Sequence, residues 1–302
     1  MRDDIVCVGE LLWDALPAGL FLGGAPFNVG SHLHALGNEV VLVSRVGDDV
    51  LGAEAVRRLQ ARGLSDAFVQ VDAALPTGFV RVNLTATDDP DYEIVAPAAW
   101  DAIALTESLQ ERVTEASALV FGSLAQRNAT SRRTIQRLAD SETLRVFDVN
   151  LRPPYGNRAV VEHSLSLADV VELNEHELAQ LGHWFGLSDD PDAALASLAE
   201  AFDCRTVCVT RGADGASLWH EGTCSHHPGH PTDATDTVGT GDAFLAALLS
   251  GLLEERDGEA LLDLANRPGA YVAAHAGASP HYEIDTLDAL QDLSAGGTTD
   301  AP

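Results

Sequence analysis

The sequence predicts an α/β fold: a central, mainly parallel sheet with helices on both faces and a small β-lid beside it. Three observations carry this. Apolar, β-branched runs alternate with helical patterns along most of the chain. One stretch near residue 80 breaks that rhythm by alternating apolar with polar residues. No apolar run approaches the ~20 residues needed to cross a bilayer.

In order, "IVCVG" (5–9) reads as a strand, "FNVGSHLHALG" (27–37) as a helix stopped by Gly37, and "VVLVSRVG" (40–47) as a strand. "DVLGAEAVRRLQARG" (49–63) is an amphipathic helix with its own glycine stop, and "AFVQV" (67–71) follows as a strand. The segment 76–100, "PTGFVRVNLTATDDPDYEIVAPAAW", is a β-hairpin that should pair with residues 11–22 in a small sheet lidding a cleft. Strands are then expected at 118–122, 144–150, 169–174, 205–210 and 215–220, with helices at 129–139, 175–182 and 191–201. Two long apolar helices, 241–253 and 258–276, close a single domain spanning 1–293, and "SAGGTTDAP" (294–302) reads as a disordered tail.

Composition narrows function. Forty-six acidic residues face 18 basic ones, for a formal charge of −28, and all 18 are arginine. Such a surface repels nucleic acid and anionic lipid, which excludes both as partners. It suits a salt-rich, halophilic interior, where counterions screen self-repulsion within a few ångströms. Without lysine, a Walker-type phosphate loop is excluded. Arg2, Asp3 and Asp4 precede only a short apolar run, unlike a secretory leader. Cys7, Cys204, Cys208 and Cys224 show no paired metal spacing and read as reduced core thiols, consistent with cytoplasm.

The chemistry concentrates in "ATDTVGTGDAFLAALLSGLL" (234–253). A glycine-rich turn ending at a helix start exposes backbone amides that lack intrahelical partners, and the helix dipole adds positive potential there. Gly239, Thr240 and Gly241 therefore form an anion site. Asp242 beside it can be a plain first-turn acid. Alternatively it can be the base that takes a proton from a hydroxyl attacking a bound phosphate, and amides plus carboxylate are what phosphoryl transfer requires. A dinucleotide reading fits less well, because "GTGDAF" matches only the first two glycines of G-x-G-x-x-G and lies late in the chain.

"DTVGTGDAF" resembles the C-terminal signature of the ribokinase-like, phosphofructokinase-B type sugar kinases, with Thr240 where alanine is usual. "GGAPFNVGSHLHALG" (23–37) is similar to their N-terminal signature. "LNEHE" (173–177), "VTRGADG" (209–215) and "FDVNLRPPYG" (147–156) resemble further segments of the family, in order along nearly the whole chain.

The resemblance implies a ribokinase-like fold and ATP as phosphoryl donor. It makes Asp242 the general base, ionised at neutral pH with an ordinary aspartate pKa, while the 239–241 amides hold the transferred group. It implies that Asn174 and Glu177 organise Mg²⁺ through water; on their own these two also read as a helix cap and its N3 capping-box partner. Arg152 is expected on phosphate, with Arg127 and Arg211 as weaker candidates, the alternative for each being a surface ion pair. Gly23, Gly24, Asn28 and Asp14 are expected on the sugar, walled by Trp13, Phe27 and Trp100 unless these are simply core. Thr210, Gly212, Gly215 and Asn266 are implicated at adenine, and Asp236 with the Val238 carbonyl at a K⁺ site. His226, His227 and His230 of "SHHPGH" invite a metal reading, but no carboxylate or cysteine spacing accompanies them, so a strand-to-loop exit is expected.

The fructokinase-like character of "GELLWD", "GGAPFN" and "APAAWD" implies fructose as acceptor. The alternatives are 2-keto-3-deoxygluconate, whose carboxylate Arg81 or Tyr92 would meet, then a nucleoside, and a non-catalytic sugar or nucleotide sensor. A homodimer through the lid is expected if the 79–85 hairpin exposes an apolar face.

Overall fold

The computed structural model describes residues 4–16, 19–84, 90–282 and 284–287; the expected tail at 294–302 lies outside them. The first half contains β1 (Asp4–Val8), β2 (Leu12–Leu16), β3 (Gly19–Gly23), α1 (Ala25–Ala35), β4 (Glu39–Gly47), α2 (Val50–Ala61), β5 (Val69–Asp72), β6 (Gly78–Leu84), β7 (Pro90–Ile94), α3 (Glu107–Thr114), β8 (Ala118–Gly122) and α4 (Ala129–Ala139). There follow β9 (Leu144–Asp148), α5 (Arg158–Leu165), β10 (Val170–Asn174), α6 (Glu175–Phe185), α7 (Pro191–Phe202), β11 (Thr206–Thr210), β12 (Ala216–His220), β13 (Thr223–His227), α8 (Thr240–Leu253) and α9 (Gly258–Ala273).

Nine strands form the main sheet in the order β13-β12-β11-β10-β9-β8-β1-β4-β5. All pair in parallel except β12 and β13, which add antiparallel at one edge. The central strands are apolar on both faces because both are covered. In β1, Val6 and Val8 point into a core shared with α3 to α7, while Ile5 and Cys7 point into one shared with α1, α2, α8 and α9. This one-residue alternation is the pleat itself.

The small sheet runs β3-β2-β6-β7. Its hairpins β2–β3 and β6–β7 are joined by the parallel pair β2–β6, with Trp13 opposite Phe79. Residues 11–22 and 76–100 thus meet as the sequence predicts. The hairpin does not offer the apolar face expected for dimerisation over its described side chains: Phe79 packs against the core and Val80 is buried.

Three elements were not anticipated. Helices α3 and α5 are eight residues each, the first mostly polar and the second half apolar, held by buried anchors such as Leu109 and Val113 or Val161 and Leu165. Strand β13, "TCSHH", has no apolar alternation and exists through its ladder with β12. Helix α9 ends at Ala273 rather than at residue 276.

Candidate active site

The segments that carry the predicted residues converge at the carboxyl ends of the parallel strands, where open α/β sheets present their crevice. Glu10 follows β1, Asp148 ends β9, Asn174 ends β10 and Thr210 ends β11. Helices α1 and α8 start at the same end and pack together.

Asn28 lies on the first turn of α1 and donates from Nδ2 to Oδ2 of Asp242 on the first turn of α8, at 2.8 Å. Its own Oδ1 is buried without a partner. Asp14 on β2 sits directly over Gly23 on β3: a Cβ at residue 23 would collide with the Asp14 carboxylate. Gly24 caps α1 at φ 110°, and a Cβ there would strike the carbonyl of Glu10. These two glycines let the β2–β3 hairpin and α1 close around the carboxylates.

Burial pushes Asp242 up to about 6, opposed by the Asn28 hydrogen bond and by the charge of Arg152. The ordinary pKa expected for Asp242 is therefore corrected, because a half-buried carboxylate loses hydration that one amide does not replace. Asp14 is likewise pushed up to about 6 by burial, with Arg152 opposing and Asp242 adding to the rise. Glu10 rises to about 7, mainly through burial. Asp148 and Glu172 rise well above the carboxylate range through burial and mutual repulsion with Asp242 and Glu177. Exposed Arg152 lowers Glu10, Asp14, Asp148, Glu177 and Asp242 alike, so its guanidinium serves the whole cluster.

Glu10, Asp148 and Glu172 escaped the sequence reading. The signal was present: Asp148 in "VFDVN" and Glu172 in "VVELN" are acids inside otherwise apolar strands, where a carboxylate needs a reason. Glu10 Oε2 is buried and unpartnered, and Glu10 and Asp148 line one small cavity.

The glycine-rich turn starts α8 with Gly239 at φ 82° as its N-cap. The Thr240 amide turns back toward the Thr237 carbonyl at 3.4 Å, as does its Oγ1 at 3.0 Å. Thr240 is thus partly engaged, a correction to the expectation of three unpaired amides. Around Gly241 the space that a Cβ would fill is open within 4 Å. Asp236 accepts from the amides of Val238 (3.0 Å) and Gly277 (3.1 Å), tying the turn to the segment after α9.

Asn174 and Glu177 form the capping box: Glu177 N donates to Asn174 Oδ1 and Asn174 N to Glu177 Oε2, each at 3.0 Å. Glu177 Oε1 also accepts from Leu151 N at 2.6 Å, which anchors the loop carrying Arg152. Thr210 Oγ1 donates to Glu172 at 3.1 Å. Gly212 opens a short turn, and Gly215, at φ 79°, is pressed against backbone of residues 227–229. Asn266 spends Nδ2 on the Leu262 carbonyl of its own helix at 2.7 Å.

Other expectations fail. Arg127 is not available to phosphate: it pairs with Asp101 at 2.7 Å and lies 3.8 Å over the Trp100 ring, buried on both sides. Trp13, Phe27 and Trp100 are fully buried core, not pocket walls. A carboxylate does reach the histidine group, since Asp263 of α9 lies 3.5 Å from His227 and 3.3 Å from His230. However, His227 Nδ1 accepts the Gly229 amide, so the neutral ring carries its proton on the nitrogen facing Asp263 and has no lone pair there for a metal.

A crevice at the strand termini, an open helix start and a carboxylate held by an amide define an α/β phosphotransferase with a ribokinase-like fold. Residues 16–285 match the pfkB family carbohydrate kinases, and the chain belongs to that family. It is 30% identical to a fructokinase of Klebsiella pneumoniae, with 83% of this chain and 85% of that protein covered. It is 33% identical to an ATP-dependent ribose-1-phosphate kinase of Halopiger xanaduensis, covering 89% and 86%. Among solved structures, a sugar kinase of Pyrococcus horikoshii in complex with ATP superimposes with a TM-score of 0.79 at 27% identity, covering 93% of this chain and 96% of that one.

Proposed function

We propose that this carbohydrate kinase transfers the γ-phosphoryl group of ATP to a primary hydroxyl of fructose. The observation that carries the reading is the Asn28–Asp242 hydrogen bond, which holds a carboxylate beside an open helix start. Asp242 takes the hydroxyl proton as the oxygen attacks phosphorus; the bond to the bridging oxygen breaks and ADP leaves. The Gly239 and Gly241 amides and the α8 dipole stabilise charge on the transferred group, with Arg152 assisting. Asp14, backed by Gly23 and Gly24, and Asn28 hold the sugar hydroxyls.

The clustered carboxylates fit a divalent cation, which would relieve the repulsion that raises Asp148 and Glu172. Glu177 and Asn174 would hold Mg²⁺ through water, and the ion would supply positive charge to offset that of the phosphates. Adenine is assigned to Thr210, Gly212, Gly215 and Asn266, although Asn266 contributes surface more than its committed amide. Asp236 and the Val238 carbonyl are assigned to K⁺. One domain with a β-lid, a cytoplasmic location, a salt-rich habitat and pairing through the lid complete the proposal; Phe21, 39% exposed on β3, is the apolar residue offered for pairing.

An uncharged acceptor is favoured because Glu10, Asp14, Asp148 and Asp242 face it with a single exposed arginine to offset them. For 2-keto-3-deoxygluconate, Arg81 is instead paired with Glu93 at 3.3 Å, and the Tyr92 side chain lies outside the described residues. ADP release across fructose, 2-keto-3-deoxygluconate, ribose 1-phosphate and a nucleoside is the test. Turnover of fructose is expected, and selective turnover of an anionic acceptor rejects the assignment. Sugar binding without any ADP release would favour a sensor.

A further inference from the structure

His32 lies one turn beyond Asn28 on α1 and is 1% exposed. Its Nε2 is 3.0 Å from the Ala278 carbonyl and its Nδ1 2.9 Å from the Tyr282 hydroxyl. A carbonyl only accepts, so Nε2 carries the proton and Nδ1 accepts from the tyrosine; the ring has one tautomer. Tyr282 stacks on it, with centroids 5.6 Å apart and planes 11° from parallel. Burial pushes the imidazole down to about 4, so it stays neutral, with Arg62 reinforcing that direction and the Ala278 bond opposing it.

Ala278 is the residue that fills the space beside Gly239: a Cβ at 239 would collide with its carbonyl, Cα and Cβ. The neighbours of Ala278 are fixed as well, Gly277 to Asp236 at 3.1 Å and the Ser279 carbonyl to Arg62 at 3.2 Å. A strap of residues 277–282 is therefore clamped to α1 and α2 on one side and bears on the 236–239 turn on the other.

We infer that His32 is a positioning residue for the phosphate-side turn: its N–H fixes the Ala278 carbonyl, and Ala278 braces Gly239 in the left-handed conformation that starts α8. Through Asn28 and His32, one helix then sets both the acceptor side and the phosphate side. This rests on the kinase reading for its effect on turnover, but its structural content is separable.

Three variants test it. His32→Leu removes both hydrogen bonds, His32→Gln keeps a donor near Nε2, and Ala278→Gly removes the methyl part of the brace and loosens its backbone while keeping the carbonyl. The readouts are steady-state kinetics against ATP and sugar, and amide exchange across 236–242. His32→Leu and Ala278→Gly should raise KM for ATP by about 5–10-fold, as expected for one lost hydrogen bond or contact, while KM for sugar changes less than about twofold. Exchange across the turn should quicken by a similar factor while exchange in β1 and β8 does not change. His32→Gln should recover most of both effects. Equal losses in the Leu and Gln variants, or unchanged exchange at the turn in all three, overturn the inference. Should His32→Leu fail to fold, Ala278→Gly and His32→Gln still decide it. Should the wild type phosphorylate no sugar, the kinase reading falls and exchange alone judges His32.

Discussion

Two charged clusters lie beneath the surface of this protein, and they are built on opposite terms. Around Arg127 the charges balance: its guanidinium reaches both Asp101 oxygens at 2.7 and 2.9 Å and the Val95 carbonyl at 3.0 Å, sandwiched between Trp100 and Tyr155. Asp101 also accepts the Ala98 amide at 2.9 Å. Around Asp242 the charges do not balance, because Glu10, Asp14, Asp148 and Glu172 share its neighbourhood with one exposed arginine. The first cluster is paired in charge, although Arg127 Nη1 and Trp100 Nε1 stay buried without a hydrogen-bond partner. The second holds protons more tightly than free carboxylates do, because burial and mutual repulsion disfavour the ionised forms.

The comparison breaks most sharply at its two centres. Asp242→Asn should lower kcat by about 10²–10⁴-fold, the usual worth of a general base. The same change should raise the melting temperature at pH 8. A carboxyl whose folded pKa is raised binds its proton better folded than unfolded, so the folding penalty builds from the ordinary value of 3.8 up to about 6 and is fully present above that, and asparagine removes it. Loss of stability together with loss of activity would mean that Asp242 is structural. Arg127→Met should do the reverse, costing about 3–5 kcal/mol by stranding Asp101, while the surviving folded enzyme keeps its KM values. Thermal unfolding paired with kinetics separates the two clusters.

Smaller effects sharpen the contrast. The pH profile of kcat/KM should fall on the acid side through about pH 6, where Asp242 and Asp14 take up protons, and Asp242→Asn should make that limb shallower, leaving only the Asp14 contribution. Asn174→Ala should cost about 1 kcal/mol through loss of the α6 cap. If Glu177 also acts through a cation, the variant should raise the Mg²⁺ concentration needed for half-maximal rate. Raising KCl from 0.1 to 2 M should stabilise the chain modestly, because −28 charges repel one another less as screening tightens. A melting temperature that falls with salt contradicts the salt-adapted reading.

Much of the architecture was legible because its signals are local. A glycine just after α1 at φ 92°, a glycine-rich turn before an apolar helix and apolar β runs report their own conformation. Asn28, Asp14 and Asp242 were singled out because their segments resemble those of a known family, and the structure brings Asn28 and Asp242 into contact. Arg127 was misjudged because its partners Asp101 and Trp100 come from another part of the chain, and nothing local reveals that the guanidinium is already spent. Asp263 reaches His227 and His230 only through the packing of α9 on β13, which sequence spacing cannot report. Helices α3 and α5 were missed because two turns are too short to be helical by themselves and become so only when their anchors find a core.

The bond between Asn28 and Asp242 spans 214 positions. A ribosome therefore releases nearly the entire polypeptide before the two side chains can meet, and such distant pairings are slow to form. Until α8 docks on α1, Asp242 has no Asn28 amide to hold its carboxylate beside the open helix start.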